Sequence, residues 1–174
     1  MFYRRKLRLF MKDDYFLYVG NAYPHKNVET LIRAAKLAKA RIIYVGKNDY
    51  FYQKLGVVPK SVSDKELTNL YKNATALVFP SLMEGFGLPG IEAMRIGTPV
   101  VCSDIPVFRE IYGEACLKFN PRDPEDIKKK LQEVLKNKKL RTDLIVKGKK
   151  QAAKYSWRRM ASETLEVYES SDRV

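Results

Sequence analysis

Residues 79–103, FPSLMEGFGLPGIEAMRIGTPVVCS, combine the end of one apolar segment, a glycine-rich turn, a helical segment and a second apolar segment. The run Ala76–Phe79 is short and wholly apolar, which is typical of a parallel strand buried on both faces. Gly85, Gly87 and Gly90 lack side chains that would keep a ligand away from the backbone. These residues therefore predict a strand, a loop, a helix and a further strand.

The start of this helix is predicted to bind a phosphate group. Pro89 suits a first helical turn, where the free N–H groups and the positive end of the helix dipole favour anions. Glu84 precedes the helix and Glu92 lies about one turn inside it, so the two carboxylates are expected on either side of the phosphate position. Carboxylates accept hydrogen bonds from hydroxyl groups, as the acidic residue that binds ribose does in dinucleotide-binding folds. The pattern therefore predicts a ligand with hydroxyls on both sides of a diphosphate, as in a nucleotide sugar.

Residues 84–106, EGFGLPGIEAMRIGTPVVCSDIP, resemble the E-x7-E region of the family 4 retaining glycosyltransferases, which have the two-domain GT-B fold. Two further segments support the resemblance: YVGNAYPHKNVETLI at residues 18–32 and VSDKELTNLYKNATALVFPS at residues 62–81. The resemblance covers residues 15–168. It implies that the chain is the carboxy-terminal, donor-binding lobe of such an enzyme.

The resemblance also implies roles for individual residues. Glu84 would hold the transferred sugar and Glu92 the ribose. Lys26 and the amides around Gly87 and Leu88 would stabilise charge on the departing diphosphate, so Lys26 and Glu84 are the expected catalytic residues. The other expected substrate-binding residues are Gly20, Asn21, Val62, Gly85 and Phe86. Many family members have an arginine where this chain has Asn21, so a second cationic contact is not assured at that position.

Three interpretations of function remain. The first is transfer of a hexose to a sugar or lipid-linked acceptor, with an acceptor-binding amino-terminal domain that this sequence does not contain. The form GNAYPHKN makes GDP-mannose the first guess for the donor and UDP-glucose the next. The second is a stand-alone donor-binding lobe without activity by itself. The third, a nicotinamide-dependent oxidoreductase, is disfavoured because Gly20 is not followed by the G-x-G-x-x-G pattern.

Charge and composition limit the partners. The 174 residues suffice for one domain, and 33 Lys and Arg against 20 Asp and Glu give a formal net charge of +13. This charge makes an anionic membrane surface a candidate partner. The basic residues are dispersed and no nucleic-acid-binding motif accompanies them, so nucleic acid is not expected. With one histidine and two cysteines, the sequence predicts reduced thiols and no metal, and no other cofactor is expected. No apolar run of membrane-spanning length and no secretory signal is evident, so the expected location is the cytoplasm, with peripheral contact at a membrane as an alternative.

The alternation of apolar runs and helical segments predicts an α/β fold: a Rossmann-like open parallel sheet with helices on both faces, one lobe of a GT-B fold. Residues 1–14 are expected to form a connector or interface segment, and residues 15–174 the nucleotide-sugar-binding domain with its carboxy-terminal helices. Asn27 is a predicted helix N-cap, and Ser63 or Asp64 another. Strands are predicted at residues 16–19, 42–45, 55–58, 76–79, 99–102 and 115–119.

Overall fold

The structure, a computed structural model, describes residues 14–171, and its strands form one parallel sheet. They are β1 (Phe16–Val19), β2 (Ile42–Val45), β3 (Ala76–Phe79), β4 (Val100–Ser103) and β5 (Leu117–Phe119). Their spatial order is β2-β1-β3-β4-β5, and all neighbouring pairs run parallel. The predicted α/β, Rossmann-like sheet is confirmed.

Helices connect the strands, because parallel neighbours cannot be joined by a tight turn. They are α1 (Val28–Ala38), α2 (Tyr50–Lys54), α3 (Asp64–Asn73), α4 (Leu88–Ile96), α5 (Pro106–Tyr112), α6 (Pro124–Lys136), α7 (Lys138–Ala152) and α8 (Trp157–Ser171). Among the residues described, no helix is both long enough and apolar enough to cross a membrane.

Each face of the sheet has its own apolar core. Leu17 and Leu77 belong to one buried cluster, which also contains residues of α3, α4 and α5. Phe16 and Val78, their neighbours in sequence, belong to the other cluster with residues of α1 and α6. Successive side chains of a strand point to opposite faces, so this division confirms that helices cover both sides.

The strand predicted at residues 55–58 is wrong. The side chain of Asp49 accepts hydrogen bonds from the backbone N–H groups of Phe51 and Tyr52. This cap starts α2, which ends at Lys54, directly before the predicted strand. In the described segment between β2 and β3, Lys60 alone pairs with β2, through one parallel bridge to Val45. Within residues 14–171 the sheet therefore has five strands rather than six, and the bridge at Lys60 marks the place of the outermost strand in a Rossmann order.

Of two predicted boundaries, the start of α3 is confirmed and the amino-terminal connector stays untested. Ser63 caps α3 as predicted, since its hydroxyl accepts from the N–H of Glu66 and the Glu66 carboxylate accepts from the N–H of Ser63. The connector predicted at residues 1–14 lies outside the described residues except for Asp14, and it stays a prediction.

Helix α7 packs along α4 and leads the chain back to the carboxyl edge of the sheet, by which we mean the side where the carboxyl ends of its strands lie. Gly148 lies against Met94, where a side chain on the glycine would be tightly crowded. The Arg95 guanidinium donates hydrogen bonds to the carbonyls of Ala152 and Tyr155. The Tyr155 ring then packs edge-on against Phe86, at 5.3 Å between centroids. Helix α8 therefore begins beside the loop between β3 and α4, residues 80–87, which we call the glycine-rich loop.

Candidate functional site

The loops that follow β1, β3 and β5 are joined at the carboxyl edge of the sheet. The side-chain amide of Asn27 donates to the carbonyls of Pro80 (3.0 Å) and Pro121 (2.8 Å). The N–H of Leu82 donates to the carbonyl of His25 at 2.7 Å. Asn27 stands at the N-cap position of α1, but its side chain makes no cap hydrogen bond. The predicted N-cap position is therefore confirmed, but the Asn27 side-chain amide bridges two neighbouring loops instead of capping the helix.

Lys26 and Glu84, which the sequence predicts as the two catalytic residues, are in direct contact. The Lys26 ammonium donates to Glu84 Oε1 at 2.7 Å, and the side chains are 18% and 9% exposed. The fully buried Ser81 hydroxyl donates to the same oxygen at 2.7 Å. Glu84 is thus held in one position by a charged and a neutral donor. Sequence analysis missed Ser81, although its spacing of three residues from Glu84 was a usable signal.

Glu92 projects from the second turn of α4 and is held by a buried tyrosine. The Tyr71 hydroxyl donates to Glu92 Oε2 at 3.2 Å. Burial, and secondly the charge of Glu92, raises the pKa of Tyr71 well above its usual range, so its hydroxyl remains a donor. The start of α4 lies between Glu84 and Glu92 along the chain, and there the N–H of Gly90 already donates to the carbonyl of Gly87. The phosphate site predicted at this helix start stays a prediction.

The three glycines of the loop serve two purposes. A Cβ atom on Gly85 would meet nothing within 4 Å, so the space beside this residue is open. Gly87 has a φ of +89°, and a Cβ atom on either Gly87 or Gly90 would collide with the Tyr112 hydroxyl. Gly87 and Gly90 therefore make room for a core tyrosine, whereas Gly85 borders open space.

Four further predicted residues, Gly20, Asn21, Leu88 and Val62, lie outside the ion pair. Gly20 and Asn21 directly follow β1, and their carbonyls accept hydrogen bonds from buried tyrosines. Leu88 is the exposed first residue of α4. Val62 precedes α3 and packs, partly buried, against the cluster that includes Leu77 and Tyr71. Its role at the nucleobase stays a prediction.

Metal-ligating side chains do not cluster in the described part of the chain. No group of three or more His, Cys, Asp or Glu residues within it could hold a metal ion. The predicted absence of a metal or other cofactor stays a prediction.

The loops after β1 and β3 lie where the strand order reverses, since β1 connects to β2 on one side and neighbours β3 on the other. In open α/β sheets, ligands bind outside the carboxyl ends of the strands at this switch point. The Lys26–Glu84 ion pair lies there, on the loops that precede α1 and α4. Fold and site together define an open α/β domain with a candidate ligand-binding site at the carboxyl ends of its strands.

The chain belongs to the family "Glycosyl transferases group 1", whose model matches residues 2–151. It is 39% identical over 163 residues to the O-antigen chain mannosyltransferase RfbU of Salmonella typhimurium, covering 86% of this chain and 45% of that protein. It is 30% identical over 178 residues to O-antigen chain mannosyltransferase B of Escherichia coli, covering 90% and 46%. The chain thus spans about half the length of these curated relatives.

Solved structures agree on the fold. Sucrose-phosphate synthase from Thermosynechococcus elongatus superposes with a TM-score of 0.80 at 24% identity, covering 93% of this chain and 46% of that one. The catalytic domain of cholesterol-alpha-glucosyltransferase from Helicobacter pylori superposes with a TM-score of 0.67 at 25% identity, covering 82% and 99%. The predicted resemblance to GT-B glycosyltransferases is confirmed.

Proposed function

We propose that this domain binds the nucleotide-sugar donor of a retaining hexosyltransferase, with GDP-mannose as the first candidate and UDP-glucose as the next. The observation that carries the proposal is the contact of Lys26 with Glu84 beside the start of α4, within a chain of the glycosyltransferase family. Two relatives with a mannosyltransferase name favour mannose over glucose.

Donor binding would exchange the partners of the ion pair. A diphosphate placed at the α4 N-terminus offers Lys26 a stronger anionic partner than one carboxylate. Glu84, still held by Ser81, is then free to accept hydrogen bonds from sugar hydroxyls. As the glycosidic bond breaks, negative charge grows on the diphosphate, and Lys26 and the amide N–H groups stabilise it electrostatically. The contact between Lys26 and Glu84 supports a division of roles, in which Lys26 acts on the diphosphate side of that bond and Glu84 on the sugar side.

The acceptor would bind to another domain that faces this edge of the sheet. Helix α8 starts two residues after Tyr155, beside the glycine-rich loop, and carries a stripe of large apolar side chains. Trp157, Met160, Leu165 and Tyr168 lie at helical spacing and are each more than half exposed. Stripes of this kind are normally covered by another apolar surface. The coverage of the relatives, about half of their length, supports a further domain as the cover.

The surplus of basic residues supports contact with an anionic membrane that carries a lipid-linked acceptor. Several lysines of α7 make no ion pair within the described residues, among them Lys138, Lys139, Lys147 and Lys150. Unpaired positive charge near an anionic surface is worth about 1 kcal/mol per residue.

The direct test is calorimetric titration of the chain with GDP, GDP-mannose, UDP and UDP-glucose, repeated in EDTA. We expect a nucleoside diphosphate to bind with the same affinity in EDTA, because Lys26 and the backbone N–H groups supply the positive field. Loss of binding on chelation would show that a divalent metal takes part. Absence of binding by all four ligands would overturn the proposed function.

Replacing the two glutamates should affect different ligands. Glu92→Ala is expected to weaken both the free nucleoside diphosphate and the nucleotide sugar, since the ribose is common to them. Glu84→Ala should weaken the nucleotide sugar, whose sugar hydroxyls Glu84 is proposed to bind. It should not weaken the free nucleoside diphosphate, because Lys26 is then already released from its ion pair. Each loss should be about 1.5–3 kcal/mol, or roughly 10- to 100-fold in Kd.

The matched control is Glu114→Ala, whose side chain is 90% exposed and which pairs with Lys118 away from the glycine-rich loop. Its affinity for either ligand should be unchanged. Equal losses for both ligands in the Glu84 and Glu92 variants would contradict the division of roles.

A further inference from the structure

Three of the largest fully buried side chains lie directly beneath the loops of the proposed site. The Tyr52 hydroxyl donates to the carbonyl of Gly20 at 2.8 Å, and the Tyr18 hydroxyl to that of Asn21 at 2.5 Å. The Tyr112 hydroxyl donates to the carbonyl of Gly87 at 2.5 Å. The three tyrosines come from α2, β1 and α5, so three separate elements converge on the two loops that follow β1 and β3.

Packing alone does not account for these hydroxyls. A phenylalanine would fill nearly the same core volume, and a buried hydroxyl is costly unless it is hydrogen-bonded. Burial raises the pKa of Tyr18, Tyr52 and Tyr112 well above the usual range, so each hydroxyl keeps its proton and acts as a donor. Each one therefore fixes the direction of one backbone carbonyl.

The direction of a carbonyl fixes the direction of the next N–H group. A trans peptide is planar, and its C=O and N–H bonds point in opposite directions. With the carbonyls of Gly20, Asn21 and Gly87 turned into the core, the N–H groups of the following residues point away from the tyrosines. Those residues are Asn21, Ala22 and Leu88. Among residues 14–171, no acceptor is bonded to any of these three N–H groups.

We propose that Tyr18, Tyr52 and Tyr112 are positioning residues that present the N–H groups of Asn21, Ala22 and Leu88 to the phosphate oxygens of the donor. This inference rests on the proposed function, because it assumes that the diphosphate binds between the two loops. It adds that the N–H groups that bind phosphate are oriented by side chains of the core rather than by the glycine-rich sequence alone. The tyrosines themselves need not touch the ligand.

Single Tyr→Phe variants test the proposal, since they keep the ring and remove only the hydroxyl. Titration with GDP, UDP and ADP identifies the nucleotide that binds most tightly. For that nucleotide, Y18F, Y52F and Y112F should each lose about 3- to 10-fold in affinity, as expected for one misdirected hydrogen-bond donor. Affinity for the corresponding nucleoside without phosphate should not change.

Tyr15→Phe is the matched control. The Tyr15 hydroxyl donates to the carbonyl of Leu70 at 2.8 Å, at the opposite end of β1. Y15F should lower the thermal unfolding temperature about as much as the other variants and leave nucleotide affinity unchanged. A loss of affinity in Y15F as large as in the other three would overturn the positioning role, as would unchanged affinity in all four.

A second measurement uses the unmodified chain, so that it does not depend on any variant folding. In a ¹⁵N amide spectrum titrated with inorganic pyrophosphate, the signals of Asn21, Ala22 and Leu88 should be among those that shift most. Nucleotide binding without shifts at these amides would overturn the inference and leave the proposed function standing. If neither pyrophosphate nor any nucleotide binds, both are overturned.

Discussion

Purified alone, the chain is expected to bind a nucleotide sugar and to transfer essentially none of it to an acceptor. Orientation of two reactants can account for about 7–11 kcal/mol of a barrier, and the acceptor is proposed to bind elsewhere. With the carboxyl edge open, the sugar is also exposed to water. Removing the acceptor domain should therefore abolish transfer rather than slow it modestly.

The measurement is incubation of the chain with labelled GDP-mannose or UDP-glucose and a range of sugar and lipid acceptors. It is then repeated after the domain encoded upstream has been added, if the gene encodes one. Robust transfer by the lone chain would contradict this prediction. If the chain binds donor but the reconstituted pair also fails to transfer, the interpretation as a stand-alone binding lobe is favoured instead.

The second large effect is expected on stability. Gly87→Ala places a side chain at a φ of +89°, which costs about 1–2 kcal/mol, and drives it into Phe108 and the Tyr112 hydroxyl. Overpacking of a filled core typically costs a further 1–3 kcal/mol, so the free energy of unfolding should fall by about 2–5 kcal/mol. Urea denaturation measures the change, and nucleotide affinity should fall with it because the Gly87 peptide is displaced.

Gly56→Ala separates backbone strain from collision. Gly56 has a φ of +64°, and a Cβ atom there would meet nothing within 4 Å. It should cost only the strain, about 1–2 kcal/mol. If the two variants are destabilised equally, the collision with Tyr112 has no energetic weight.

The sequence predicted the sheet well because its strands are short and largely apolar, and because glycine or proline directly follows β1, β2 and β3. It failed at residues 55–58, where an apolar run resembles a strand. There the cap from Asp49 and the burial of Tyr52 stabilise a helical turn just before that run. Local composition could not reveal that choice, since Tyr52 is fixed by a contact with Gly20, 32 residues away.

The candidate site was predictable as a set of residues but not as a set of contacts. Lys26 and Glu84 were each recognised from their motif, yet 58 positions separate them in sequence. Their ion pair depends on how two loops meet at one edge of the sheet. The tyrosine hydroxyls went unnoticed for a similar reason: in sequence they are ordinary core aromatics, and only the fold shows which carbonyl each one holds.

The side-chain amide of Asn27 ties together loops that follow β1, β3 and β5, and this has a consequence for the entropy of binding. Fixing the backbone of one flexible residue costs about 1–2 kcal/mol. Loops that are already joined have little of this freedom left to lose, so more of the interaction energy appears as affinity. The nucleotide sugar can then bind without first ordering one of these loops. Any closing movement would move the three loops together.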